Sequence, residues 1–261
     1  MSTFDLFHLF VAAHIVTGTV GLITFWVPIV AKKGGLWHRR CGRVFTWSML
    51  LTGSAAIAIS LCTLSDPMAT HPQLVGHAVL GDARLVSAIF GSMMLGLALL
   101  TINLAWYGWQ CNRNRHNHAA NREWRNLALQ AATFLAASNC AWQGYLIGQP
   151  LMLGMSFVGW ATVATNLYFL YKPKVGANDW LKEHIKGLVG AGISVYTAFF
   201  AFGAVRTFPA LALHPVVWAI PLLVGLTLIL YHQRKVALSP RTQRVVHGAH
   251  DALNARPHHE R

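Results

Sequence analysis

Residues 6–30 read LFHLFVAAHIVTGTVGLITFWVPIV, residues 31–43 read AKKGGLWHRRCGR, and residues 44–64 read VFTWSMLLTGSAAIAISLCTL. Neither outer stretch contains Lys, Arg, Asp or Glu, and each is long enough, as a helix, to cross a hydrocarbon core of roughly 30 Å. The segment between them concentrates positive charge. These residues predict two transmembrane helices that are joined at a basic membrane surface.

The same pattern continues to the end of the chain. Seven stretches are nearly free of charge, at 6–30, 44–64, 85–106, 126–147, 151–171, 187–205 and 215–231. The first, third and fifth connections and the C-terminal segment are basic, whereas the other connections hold almost no Lys or Arg. Because Lys and Arg stay on the cytoplasmic side, the pattern predicts an all-α bundle of about seven transmembrane helices, with the N-terminus outside and the C-terminus inside.

Composition supports a membrane protein and excludes most soluble classes. The chain has 261 residues, of which 54% are hydrophobic and 11% charged, and soluble domains usually carry about twice that charged fraction. Its net charge of +13 lies in alternating loops, which fits anionic lipids of the inner leaflet without any nucleic acid. We expect a transmembrane domain over residues 1–231 and a basic cytoplasmic tail over 232–261 that is disordered or lies on the membrane.

Several polar and small residues within the apolar stretches are expected to hold helices together. Gly18 with Gly21, and Gly187 with Gly190, are spaced so that each pair lies on one helix face, and small residues let backbones approach closely in a bilayer. Buried amides need partners and usually find them across helices. The amides inside the stretches are Asn103, Gln130, Asn139, Gln143 and Asn166.

His14 is the first candidate functional residue. It lies about 12 Å into the first apolar stretch at 1.5 Å per residue, and ionisable side chains at that depth are functional candidates. A neutral imidazole there can ligate haem iron or relay a proton. The alternative is a structural histidine whose ring is satisfied by a neighbouring helix.

The most distinctive string is HRRCGR, at residues 38–43. Its His38 and its three arginines, Arg39, Arg40 and Arg43, lie beside a glycine at which we expect a turn. Guanidinium groups there can hold a phosphate, a carboxylate or a haem propionate. The alternative is an anchor for lipid headgroups. Since His38 and His184 both lie at the inner boundary, within a turn or so of the second and sixth stretches, we expect His184 to converge with this string at the inner end of the bundle.

These residues resemble a family of bacterial predicted membrane proteins that is catalogued as domain of unknown function 2306. The likeness rests on His14 followed by the His-Arg-x-x-Gly-Arg-x-aromatic string, and on EHIKGL at 183–188, which leads to Arg206 and is similar to that family's second His-led helix. The chain differs in Phe45, where the family usually has Tyr, and in Lys186 and Gly187. The resemblance implies a helical protein of the bacterial inner (cytoplasmic) membrane and implies no reaction.

The string is also similar to those of ferric-reductase-like membrane cytochromes, which are haem bundles with His pairs on facing helices. The likeness is at the level of the fold. Residues 44–64 contain no His, so the paired pattern of those cytochromes is not reproduced.

Two functions remain open from the sequence, and it leaves undecided whether the protein is an enzyme. The leading hypothesis is a haem- or quinone-associated redox component of the membrane, with haem b as the candidate cofactor and no separate metal site. Its cofactor residues would be His14, His38 and His184. The alternative is a non-enzymatic carrier or binding protein for an anionic lipid or small solute, held by Arg39, Arg40 and Arg43. No acidic residue lies deep in any apolar stretch, and no motif of a soluble enzyme is evident.

The predicted topology can be tested with reporter fusions. Alkaline phosphatase fused after Gln149 should be active, because that connection is expected to be external, and after Asn178 it should be inactive. Enzyme activity in cells that express equal amounts of each fusion is the measurement. The reverse pattern at both sites would contradict the predicted orientation.

Overall fold

The computed structural model describes residues 3–76, 81–207 and 214–238, and the side chains of 202–207 lie outside this description. Within these residues the protein is helical and contains no strand. The described residues form seven helices of at least 21 residues, which are α1 Thr3–Val30, α2 Leu36–Ser65, α3 Ala83–Arg113, α4 Trp124–Leu146, α5 Pro150–Leu170, α6 Asp179–Thr207 and α7 Pro215–Ala237. Ser87–Met93 of α3 is π-helical.

The expected all-α fold is confirmed. Five of the helices, α1, α2, α3, α5 and α7, are long and apolar enough to cross a membrane. The other two carry more polar side chains. Asn126 and Gln130 are buried in α4, and α6 begins with the charged segment DWLKEHIK.

Four helices extend beyond the predicted apolar stretches into the neighbouring basic segments. The helices α2 and α6 begin about two turns before the predicted stretches, and α3 and α7 end about two turns after them. The expectation of a turn at Gly42 is therefore wrong, because Gly42 lies inside α2. The chain turns instead at Gly34, whose φ of +75° suits a residue without a Cβ. The expected tail begins with residues that still belong to α7, and residues 239–261 lie outside the described part.

Two helices occupy the centre of the bundle. The helix α3 packs against α2, α4, α5 and α6, and α6 packs against α1, α3 and α7. Short connections at 31–35 and 147–149 make α1 antiparallel to α2 and α4 antiparallel to α5. The main core cluster lies between these elements and includes Phe25, Phe45, Met49, Leu104 and Val189.

The central pair meets at two glycines. A Cβ placed on Gly187 would lie 2.6 Å from the Cα of Gly108 and 2.7 Å from the carbonyl oxygen of Leu104. Any side chain at Gly187 would push α6 away from α3. The expected packing role of Gly187 and Gly190 is confirmed, as is that of Gly18 and Gly21, which are buried against α2.

Amide hydrogen bonds join α3, α4 and α5. The Nδ2 of Asn103 donates to Gln130 Oε1 (3.1 Å) and to Thr133 Oγ1 (2.9 Å). The Nε2 of Gln130 donates back to Asn103 Oδ1 (2.8 Å), and Asn166 Nδ2 donates to Gln130 Oε1 (3.2 Å). All four side chains are buried. This confirms the expectation for these amides, whereas Asn139 is exposed on the outside of α4.

The contact between the two glycines predicts a large effect from a single methyl group. Gly187→Ala should lower the stability by about 1–3 kcal/mol, the usual penalty for overpacking a well-packed contact. Thermal unfolding in a neutral detergent measures the change. Gly154→Ala on α5 is the matched control, because nothing lies within 4 Å of its added Cβ. Equal melting temperatures for the two variants would show that α3 and α6 do not need this close approach.

Candidate anion-binding cavity

A large cavity lies at the end of the bundle where α1, α3 and α7 end and α2 and α6 begin. Its volume is about 1400 Å³, above the roughly 300–1,000 Å³ of ordinary small-molecule pockets. Residues from the basic segments that the sequence pattern had placed on one side of the membrane line it together, among them Lys32, Arg39, Arg115 and Lys235. These segments therefore meet in space.

The charge of the cavity wall is entirely positive. Seven Lys and Arg side chains line it, namely Lys32, Lys33, Arg39, Arg40, Arg43, Arg115 and Lys235. No Asp or Glu is found among its described lining residues. None of the seven cations forms an ion pair with a carboxylate in the described part of the chain. The positive charge is left for a ligand or for solvent to neutralise.

Asp179, the first carboxylate of α6, is already paired with other cations. Asp179 contacts Lys172 (2.7 Å) and Lys182 (3.6 Å). Burial raises the pKa of the Asp179 carboxyl, but hydrogen bonds from Lys172 and the Gly176 N–H, together with the two lysine charges, bring that pKa below its ordinary value. Asp179 is therefore ionised at neutral pH and committed to lysines outside the cavity wall.

The cavity cations repel one another. Lys33 Nζ donates hydrogen bonds to the carbonyl oxygens of Pro28 (2.8 Å) and Ile29, so only backbone oxygens partly compensate its charge. Burial, and then the positive charge of Lys235, lower the pKa of the Lys33 amine. A bound anion would relieve this repulsion, which favours anion binding over an empty cavity.

His38 and His184 both line this cavity. The Nδ1 of His38 lies 3.0 Å from the carbonyl oxygen of Pro28, and the Nδ1 of His184 lies 2.9 Å from that of Gly108. Because a carbonyl oxygen only accepts, Nδ1 carries a proton in each ring, and Nε2 is the nitrogen that could meet a ligand. Neither Nε2 has a hydrogen-bond partner among the described residues. This is the arrangement in which histidines usually ligate metals.

The position of His184 depends on Gly187, which the sequence singled out, and on Gly108 and Tyr107, which it did not. The contact of Gly108 with Gly187 brings α6 close enough for His184 to reach the Gly108 carbonyl. The hydroxyl of Tyr107, which is fully buried, donates to Glu183 Oε2 at 2.6 Å. No acidic residue lies deep in the predicted apolar stretches, so the sequence did not predict the hydrogen bond between Glu183 and Tyr107. The spacing of Glu183 and Lys186, which are one helical turn apart and form an ion pair, could have indicated that Glu183 has a structural role.

His14 lies apart from the other two candidate histidines. Its Nδ1 donates to the carbonyl oxygen of Thr52 on α2 (3.1 Å), and Thr52 Oγ1 donates to Thr17 Oγ1 (2.8 Å). Pro28, which His38 contacts, is roughly 20 Å further along α1 at 1.5 Å per residue. His14 does not line the cavity. The cavity therefore brings together His38, His184 and the three arginines, and leaves out His14.

The walls of the cavity become apolar with depth. On α6 the lining residues follow helical spacing, from Trp180 and Leu181 through His184 and Ile185 to Leu188 and Val189. The stripe runs over roughly 13 Å at 1.5 Å per residue. The site thus combines a cationic mouth with an apolar interior, which suits a molecule with an anionic head and an apolar body.

Other possible sites are weaker. Within the described residues no group of three or more His, Cys, Asp or Glu is arranged to hold a metal ion. All four cysteines are free thiols, including Cys62 and Cys140, and the side chain of Arg206 lies outside the described part.

No protein-family model matches the chain, and no match is found among curated proteins or solved structures. The function is therefore inferred from the cavity residues.

Proposed function

We propose that this is a multi-pass membrane protein whose cavity binds an amphipathic anion. The observation that carries the proposal is the set of seven cavity cations without a lining carboxylate. Arginine forks bind carboxylates and phosphates in bidentate fashion. The apolar interior formed by Leu188, Val189 and Phe25 would take the hydrophobic part of the ligand.

The proposal includes the seven-helix topology with the cavity on the cytoplasmic side of a bacterial inner membrane. Support comes from the meeting of the basic segments at one end of the bundle, since cytoplasmic loops are enriched in Lys and Arg. Membership of the domain of unknown function 2306 family belongs to the same proposal, and rests on the string at residues 38–43 and on His184.

Charge reversal at the cavity tests the proposal. Arg43→Glu should weaken the binding of dodecyl phosphate, an anionic amphiphile, by at least about tenfold, equivalent to about 1.4 kcal/mol. The reason is that one guanidinium is lost and a repelling carboxylate is added. Isothermal titration calorimetry in a neutral maltoside detergent gives the dissociation constant, and added salt should weaken binding to the wild type.

The matched control is Arg125→Glu, which changes the same charge at an exposed position of α4 outside the cavity. The control should bind as the wild type does. Equal losses in both variants would attribute the binding to overall charge and contradict a specific site.

A second candidate function is redox chemistry with haem b as the bound anion. The specific observation in its favour is that His38 and His184 both present an unpartnered Nε2 in the same cavity that holds the arginines. His38 and His184 would hold the iron of a haem through Nε2, and the arginines would hold its propionates. The bound haem would supply a one-electron couple. His14 would stay outside this site and bond α1 to α2.

The haem hypothesis predicts a coloured protein. Wild type incubated with haemin should show a Soret band whose wavelength shifts on reduction with dithionite. His184→Ala removes a proposed iron ligand, so the shift that is typical of a ligated haem should be lost. His8→Ala is the control, because His8 is exposed near the start of α1 and bonds only within its own helix. A wild type that stays colourless after incubation, while it still binds dodecyl phosphate, would reject the redox function and retain the binding function.

A further inference from the structure

Three helices contribute the deep walls of the cavity. Phe25, Pro28 and Ile29 of α1 lead to Lys32 and Lys33 in the segment just after that helix, and Leu228 and Tyr231 of α7 lead to His232 and Lys235. The stripe on α6 runs from Val189 and Leu188 to His184 and Trp180 and contains no Lys or Arg. The lysines that follow α1 and that end α7 lie at the same end of the bundle.

Within the described residues, α1 and α7 each pack against α6 and do not form an extended packing contact with each other. At the charged end Lys33, three residues after α1, lies near enough to Lys235 of α7 for that positive charge to lower the pKa of the Lys33 amine. Deeper in the bundle, the cavity is lined by Ile29 of α1, Leu188 of α6 and Leu228 of α7. Because α1 and α7 do not pack along each other, a groove along α6 is left between them.

The outer faces of these helices are suited to lipid. Ile23 of α1 is 67% exposed, and Leu230 of α7 is 56% exposed. An apolar groove whose rims are apolar would open toward acyl chains when the helices stand in a bilayer. A water-soluble solute would instead need a polar route to the apolar floor.

We propose that the ligand is a membrane lipid with a phosphate monoester headgroup, such as phosphatidic acid, which enters sideways from the inner leaflet between α1 and α7. The inference rests on the proposed anion-binding function and adds the class of ligand and its route. A phosphate monoester carries up to two negative charges and three acceptor oxygens, so it can use several of the clustered cations at once. Basic pockets between transmembrane helices on the cytoplasmic side bind anionic lipid headgroups in this way.

The position of the headgroup follows from the cations. Arg39 and Arg43 on α2, with Lys33 and Lys235 at the ends of α1 and α7, surround the mouth of the groove. The acyl chains would lie on Leu188 and Val189 of α6 and leave through the opening. The headgroup stays at the membrane surface while the chains remain in an apolar environment.

The test compares a lipid with a headgroup mimic that has no chain. Wild type in phosphatidylcholine nanodiscs should bind added phosphatidic acid, and wild type in neutral detergent should bind inorganic pyrophosphate. Leu188→Trp fills the floor of the groove, so it should weaken phosphatidic acid binding by at least about tenfold and leave pyrophosphate binding unchanged. Native mass spectrometry measures the lipid and calorimetry measures pyrophosphate. Leu135→Trp, at an exposed apolar position of α4, is the matched control.

The outcomes separate the two proposals. Loss of lipid binding alone in Leu188→Trp supports lateral entry. Unchanged lipid binding in a folded Leu188→Trp protein overturns lateral entry and leaves anion binding in place. No binding of either probe by the wild type overturns both.

A second measurement does not depend on the folding of a variant. A phosphatidic acid analogue with a photoreactive acyl chain should label wild-type peptides that contain Ile29, Leu188 or Leu228. An analogue of phosphatidylcholine should label them much less. Labelling confined to α4 and α5 would overturn the proposed route.

Discussion

The close approach of α3 and α6 at Gly108 and Gly187 is the constraint on which the rest of the structure depends. It allows two helices to lie side by side at the centre, so that α1, α2 and α7 can surround the start of α6. It also brings the Gly108 carbonyl within reach of His184. In a bilayer there is little hydrophobic drive between helices, and small residues that permit backbone contact are a principal source of association. The cavity is a consequence of this packing.

The cavity concentrates charge that the fold does not neutralise. Holding like charges together destabilises a compact state, and the proposed bound anion would offset that repulsion. The carboxylates close by are directed elsewhere: Asp179 to two lysines, and Glu183 to Lys186 and Tyr107. That division keeps the wall of the cavity positive. It also fixes the start of α6, from which His184 projects into the cavity.

Much of the fold could be predicted from the chain because membrane helices obey two simple rules, the length of the apolar stretch and the distribution of Lys and Arg. The residues at which the helices begin were harder to predict from the sequence. The string at residues 38–43 is rich in charge, and charge alone does not distinguish a loop from the exposed turns of a helix. Gly42 was therefore assigned to a turn, whereas Gly34 provides it.

Part of the site was predictable from the same two rules for membrane helices. His38, His184 and the arginines share a depth in the bundle, and depth can be read from the sequence. The sequence does not show which helices lie side by side, because the pairing of α3 with α6 depends on small residues that meet across helices distant in sequence. Tyr107 illustrates the limit: its partner Glu183 follows from that pairing alone. His14 illustrates the reverse, since an imidazole in an apolar stretch can satisfy itself on the Thr52 carbonyl of the next helix.

The most direct test of the central claim is an experimental structure of the protein with dodecyl phosphate bound. We expect density for the phosphate within hydrogen-bonding distance of the Arg39 or Arg43 guanidinium groups and density for the chain along Leu188 and Val189. A phosphate bound elsewhere, with the cavity between α1, α6 and α7 free of the amphiphile, would contradict anion binding in the cavity.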